Sequence, residues 1–128
     1  MNFNLLIVDD DPNFLFMHKI LAKRSGFHLD PKTFDSGKEV IEYLEQNKGI
    51  NEKILIFLDL FMPEINGWSV ADYVESLGQF HRIKIFIVSS SVNQADKQKA
   101  LTYSSIIEYI EKPLELNYLE TIKESPFF

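Results

Sequence analysis

The stretch Ile54-Leu55-Ile56-Phe57-Leu58-Asp59-Leu60-Phe61-Met62-Pro63-Glu64-Ile65-Asn66-Gly67 runs through five apolar, β-prone residues, meets a carboxylate, and passes at once into a loop punctuated by Pro and Gly. A continuous apolar run of that length reads as a strand buried on both faces of a parallel sheet. Ligands of open α/β sheets bind at the carboxyl ends of such strands. Asp59 therefore stands at the mouth of a crevice, on a rigid strand and under a loop. Taken alone, it would serve equally well as the cap of the next turn, a common use of Asp. The remainder of the chain has to decide between the two.

Working outward, the same grammar repeats. Asn4-Leu5-Leu6-Ile7-Val8 is a second buried-strand run, and it ends in Asp9, Asp10 and Asp11 before Pro12. Asp11 suits an N-cap and Pro12 the first helical position, with Phe14, Met17 and Leu21 expected on the buried face and Gly26 as a stop. Residues 27–34 form a weak strand interrupted by Pro31, which predicts an edge. Ser36-Gly37 opens a second helix with Val40, Ile41 and Leu44 inward, and residues 68–77 form a third around Val70, Tyr73, Val74 and Leu77. Ile83 to Val88 is another buried run, ending in Ser89-Ser90-Ser91. Asn93 and Asp96 have the spacing of a capping box. The helix they open, residues 93–103, offers only Leu101, Ala95 and Ala100 as apolar residues and should be weakly held. Ile106, Ile107, Tyr109 and Ile110 make a fifth strand before Glu111-Lys112-Pro113, and Leu116, Leu119 and Ile122 line a last helix. Five alternations of strand and helix call for a parallel sheet covered by helices on both faces, with right-handed crossovers.

Composition narrows the function. The length suits one domain able to bury a core without staples, and the chain has no cysteine, hence neither disulfides nor a thiol nucleophile. No apolar run is long enough to span a membrane, and the N-terminus carries no signal segment, which points to the cytoplasm. The net charge of -6, with no basic cluster, argues against a nucleic-acid partner.

In a parallel sheet all carboxyl ends share one edge, so Asp9, Asp10, Asp59, Ser89 and Lys112 converge. Any one of them is easily a cap or a solvated charge; five polar residues at four strand ends on the crevice edge are harder to explain that way. Carboxylates about 4–5 Å apart repel by roughly 3–4 kcal/mol at an effective dielectric near 20. A divalent cation relieves that strain, and an all-oxygen donor set favours Mg²⁺ over Zn²⁺. A cation held by few carboxylates commonly shares a phosphate oxygen. Lys112 and Ser89 would then face the phosphoryl group, with Asp59 either a metal ligand or a carboxylate nucleophile.

Val8-Asp9-Asp10, Asp59 followed by Pro63 and Gly67, Ile87-Val88-Ser89, and Tyr109-Ile110-Glu111-Lys112-Pro113 together resemble the receiver domain of two-component response regulators, in order and across essentially the whole chain. The resemblance implies a single receiver domain over residues 1–128, a flavodoxin-like, doubly wound α/β fold with five helices, and strand order 2-1-3-4-5. It implies a phosphoryl acceptor, not an enzyme with turnover, taking the group onto Asp59 from a sensor histidine kinase or a histidine phosphotransfer protein. By the same resemblance Asp10, Asp59 and the main-chain carbonyl of Phe61 bind Mg²⁺, and Asp9 acts through water. Ser89 and Lys112 bind the phosphoryl group, and Ser89 and Tyr109 form the switch. A downstream protein target would read the face made by helix 93–103, strand 106–110 and the last helix, with no membrane or nucleic-acid partner.

Some positions depart from the commonest receiver pattern. Ser replaces the more frequent Thr at 89, Ser90 stands where small residues are usual, Phe61 and Ser91 occupy places that tune phosphate lifetime, and Ser105 falls where Gly is common. His18, His28 and His81 share no ligand spacing. Trp68 reads as a packing residue, and Phe127-Phe128 as an apolar end that either folds back on the body, the favoured reading, or stays open as a contact site. Two other readings compete: a scaffold whose partner ignores phosphorylation, and a true enzyme. A haloacid-dehalogenase-like phosphatase expects a second Asp at the place of Phe61. A flavodoxin expects a Gly- and hydroxyl-rich loop where this chain has Asp9-Asp10-Asp11.

Overall fold

The computed structural model describes residues 2–128. Strands β1 (Asn4–Val8), β2 (Lys32–Phe34), β3 (Ile54–Leu58), β4 (Ile83–Ser89) and β5 (Ile106–Glu111) alternate with helices α1 (Pro12–Arg24), α2 (Gly37–Gln46), α3 (Gly67–Leu77), α4 (Gln94–Ala100) and α5 (Leu116–Ile122). All pairings are parallel and the order is β2-β1-β3-β4-β5, as the alternation and the family resemblance imply.

The apolar runs are continuous because each strand feeds two cores. Side chains alternate across a strand, and here Leu6, Val8, Ile54, Ile56, Leu58, Ile83, Ile85 and Ile87 pack toward α2 and α3. Leu5, Ile7, Leu55, Phe57, Phe86 and Val88 pack on the opposite face, with Ala22 of α1 and Leu119 of α5. Every residue of β3 is buried.

The edges are thinner. β2 is only three residues long, confined to the part of the expected strand beyond Pro31. β5 carries a register irregularity opposite Ile85 and Phe86, which pair with Ile106 and Glu108 and leave Ile107 unmatched. At both chain ends of the sheet's α1/α5 face, aromatic rings close the core. Phe127 packs edge-on to Phe86 at 5.2 Å and beside Phe27 at 5.9 Å, and Phe128 lies against Phe3 at 5.8 Å. The fold-back expected of this terminus is what forms.

Three expected details differ. In α1 the buried stripe runs through His18 and Ala22, whereas Met17 is exposed; counting only large apolar residues misplaces a stripe whose centre is a histidine and an alanine. In α4, Leu101 is 79% exposed and only Ala100 is buried. The capping box does not form. Asn93 caps through a bond from the Ala95 N–H, while Asp96 accepts from the Ser91 hydroxyl at 2.7 Å.

Candidate functional site

The register places the acidic pocket. Val8 pairs with Leu58, so the next residue on each strand, Asp9 and Asp59, emerges side by side where the ladder ends. Asp9 N–H donates to the Phe34 carbonyl and Asp59 N–H to the Val8 carbonyl, fixing both backbones. The Asp9 carboxylate turns back to accept from the Asp11 N–H at 2.9 Å, and Asp11 caps α1 through the Asn13 N–H. Asp11 is thus absorbed by the helix start, leaving Asp9 and Asp10 for the pocket. One carboxylate oxygen each from Asp9, Asp10 and Asp59 lies within 4.8 Å of the others.

The loop after Asp59 is held close by Gly67. Its N–H donates to the Leu60 carbonyl at 2.8 Å, and a Cβ there would sit 2.3 Å from the Asp59 carbonyl oxygen. Glu64 adopts φ 65, a left-handed turn uncommon outside glycine. Phe61 points its ring to solvent, 57% exposed.

Lys112 arrives from the end of β5. Its N–H donates to the Ser89 carbonyl at 2.8 Å, which brings Ser89 and Lys112 together at the backbone level. The Lys112 ammonium bonds Asp9 Oδ2 at 2.8 Å and approaches Asp59 Oδ1 at 3.5 Å, with the lysine side chain only 7% exposed. Burial, reinforced by the Asp9 charge, raises the Asp59 pKa to about 6; Lys112 pulls it down only in part, and Asp10 adds to the rise. Desolvation and like charge disfavour the carboxylate, so a cation in this pocket would be welcomed. Three hard oxygen donors suit a divalent ion of the Mg²⁺ type.

Ser89 is fully buried, and its hydroxyl oxygen accepts from the Ser91 N–H at 3.1 Å. The Ser91 carbonyl accepts from the Tyr109 hydroxyl at 3.0 Å, and the Ser91 hydroxyl meets Asp96 and the Asn93 N–H. Ser91 therefore joins Ser89, Tyr109 and the first turn of α4. The family resemblance marks Ser91 only as a place that tunes phosphate lifetime; its hub position comes from the loop's bend. Ser105, in a place often Gly, is buried and donates both its N–H and its hydroxyl to Glu75 of α3. Trp68 packs as expected, stacked on Tyr103 at 5.6 Å with the Lys99 ammonium 4.6 Å from its ring.

Two neighbours of the pocket escaped sequence reasoning. The face of Phe14, read only as a core residue, lies 4.0 Å from the Lys112 ammonium. His18, one turn on, is buried, and its Nε2 lacks a partner. Burial lowers its pKa to about 4; Asp9 opposes and Lys112 adds to the shift. Helical periodicity could flag neither, because the contact is made with a residue nearly a hundred positions away. His28 is also buried, with Nδ1 accepting from the Asp30 N–H and Nε2 on the Phe3 carbonyl.

A doubly wound parallel sheet with an acidic pocket and a buried lysine at its carboxyl edge defines the class of protein that this chain represents. The response regulator receiver domain family matches residues 5–123, and the chain belongs to it. It is 32% identical to chemotaxis protein CheY1 of Helicobacter pylori over 109 residues, covering 85% of this chain and 84% of that protein. It is 28% identical over 121 residues to the sensor histidine kinase CheAY of the same organism, matching 94% of this chain but spanning only 14% of that kinase. Among solved structures, a response regulator receiver protein from Dyadobacter fermentans superposes with a TM-score of 0.82 at 31% identity, covering 94% of each chain. No helix among the described residues is long and apolar enough to cross a membrane.

Proposed function

We propose that this chain works as a single-domain response regulator in which an Asp59 carboxylate oxygen takes a phosphoryl group from a phosphohistidine. The oxygen attacks phosphorus, the phosphorus–nitrogen bond breaks, and the bonding pair returns to the imidazole, which picks up a proton. The resulting acyl phosphate later loses its phosphoryl group to water, restoring the carboxylate. The single observation that carries this reading is the placement of Asp59: buried, beside two further carboxylates, with the Lys112 ammonium 3.5 Å away.

Asp10, Asp59 and the Phe61 main-chain carbonyl would hold Mg²⁺, with Asp9 acting through water. When bound, the ion supplies charge neutralisation for the incoming phosphoryl oxygens. Lys112 turns from Asp59 toward those oxygens, and the Ser89 hydroxyl donates to one of them. Because Ser91 bonds both Ser89 and the Tyr109 hydroxyl, a shift of Ser89 disturbs the Tyr109 tether and the start of α4 together. The surface that changes is formed by α4, β5 and α5, and a protein target reads it. The donor is a sensor histidine kinase or a histidine phosphotransfer protein, and the place of action is the cytoplasm.

Incubation with acetyl phosphate and Mg²⁺, followed by intact-mass measurement, tests this. The wild type should gain one acid-stable, base-labile phosphoryl group that EDTA prevents and Asp59→Asn abolishes. No gain, or the same gain in Asp59→Asn, would refute the assignment.

A further inference from the structure

Among the described residues Lys112 is the one cation paired with the pocket carboxylates, and an ammonium carries three donors and no acceptor. Asp9 takes one at 2.8 Å and Asp59 lies toward another at 3.5 Å. On a further side, at 4.0 Å from the ring centroid, stands the face of Phe14, a van der Waals separation with no room for intervening water. The lysine is 7% exposed, so the attraction between its charge and the ring quadrupole is little screened. Phe14 is itself braced. His18, four residues on and on the same helix face, lies 5.6 Å from the Phe14 ring, and is buried.

We propose that Phe14 is a positioning residue for the phosphoryl chemistry: its ring face, backed by His18, keeps the Lys112 ammonium desolvated and aimed at the space over Asp59. The role rests on the phosphoacceptor reading above. When Lys112 exchanges Asp59 for a phosphoryl oxygen, the two carboxylates and their electrostatics are rearranged by the new ligand. The ring is the one partner of the ammonium whose attraction does not depend on protonation or on a bound cation. An aliphatic residue would fill the same volume and exclude water, but would not draw the charge.

The decisive experiment separates electrostatics from packing. Phe14 is replaced by mono-, di- and trifluorophenylalanine, which keep the shape of the ring and progressively empty its negative face, and affinity for beryllofluoride with Mg²⁺ is measured by calorimetry. The logarithm of affinity should fall linearly with fluorine number, reaching a loss of about tenfold for the trifluoro ring. Phe14→Leu should match that loss, Phe14→Tyr should restore affinity, and in a Lys112→Ala background the slope should vanish. A flat fluorine series with a wild type that binds normally overturns the role of Phe14 and leaves the phosphoacceptor reading intact. A wild type that fails to bind beryllofluoride overturns the phosphoacceptor reading itself, and the role of Phe14 with it. A slope that persists without Lys112 also overturns the proposal, because the ring would then be acting on something else.

Discussion

Replacing Asp59 by Asn should stabilise the metal-free protein, although it removes the residue proposed to carry the phosphoryl group. In the fold the Asp59 pKa is raised from 3.8 to about 6, by burial first and by the Asp9 and Asp10 charges next, with Lys112 offsetting part of the rise. A rise of about two pKa units at about 1.36 kcal/mol each is a cost near 3 kcal/mol when the group is ionised. The folded state holds this proton more tightly than the unfolded chain. The cost is therefore absent below the unfolded pKa, grows as pH rises through the window from 3.8 to about 6, and is complete at pH 7. Asn keeps an oxygen for the Lys112 ammonium and carries no charge, so it escapes the penalty at every pH.

Urea unfolding of both proteins in EDTA measures the effect. At pH 7 Asp59→Asn should be more stable by up to about 3 kcal/mol, or roughly 10 °C in Tm for a chain of this size. At pH 4 the gap should nearly close, and at pH 7 Mg²⁺ should close part of it by stabilising the wild type through binding to the folded state. Equal or lower stability of Asp59→Asn at pH 7, or a gain of the same size at pH 4, would refute the account of a pocket strained by its own carboxylates.

Two further substitutions test the surroundings. Gly67→Ala puts a Cβ 2.3 Å from the Asp59 carbonyl oxygen and 2.8 Å from the Leu60 Cα; both are backbone atoms that cannot swing away, so a loss of about 2–4 kcal/mol in urea melts and slower labelling by acetyl phosphate should follow. Gly49→Ala, with nothing within 4 Å, is the control and should change neither. His18→Leu addresses acid sensitivity. The His18 pKa falls from 6.5 to about 4 on folding, so the unfolded chain binds the extra proton between those values and stability is lost as pH falls through that window, by about 3 kcal/mol in all. The leucine variant should lack this loss when melts at pH 7.5 and pH 4.5 are compared; an unchanged pH slope would show that His18 is not its source.

The sheet was legible because a strand buried on both faces has to be apolar throughout; β3 meets that demand residue for residue, β1 from Leu5 to Val8, and β4 from Ile85 to Val88. The acidic cluster was legible for the complementary reason: where the apolar runs of β1 and β3 stop, Asp9, Asp10 and Asp59 are conspicuous. Helix faces were less so. The stripe of α1 is centred on His18 and Ala22, residues that a count of large side chains passes over. Leu101 looked like the anchor of α4 and is the most exposed of the large apolar residues among those described. Contacts that hold distant segments together left no trace in spacing at all. The Ser105 bonds to Glu75 and the Tyr103 hydroxyl on Asp72 at 2.6 Å depend on how α3 meets the segment between α4 and β5, and Phe14 over Lys112 on how α1 meets the end of β5.

Those contacts bear on why α4 would be the element that responds. A helix of seven residues cannot sustain itself in water, and with Ala100 as its only buried residue it contributes little to the core. Its carboxyl end is nonetheless pinned to α3, through the Lys99 ammonium on Trp68, the stacking of Tyr103 on Trp68, and the Tyr103 bond to Asp72. Its amino end is tied by Asn93 and Asp96 to Ser91, and through Ser91 to Ser89 and Tyr109. A pull on Ser89 would therefore act on the loosely packed end of a short helix whose other end is clamped, which favours a swing about residues 99–103 over melting of the whole element. The Lys97 to Glu111 ion pair spans the gap from α4 to β5 but is partly exposed and thus weak, so it would yield to that swing.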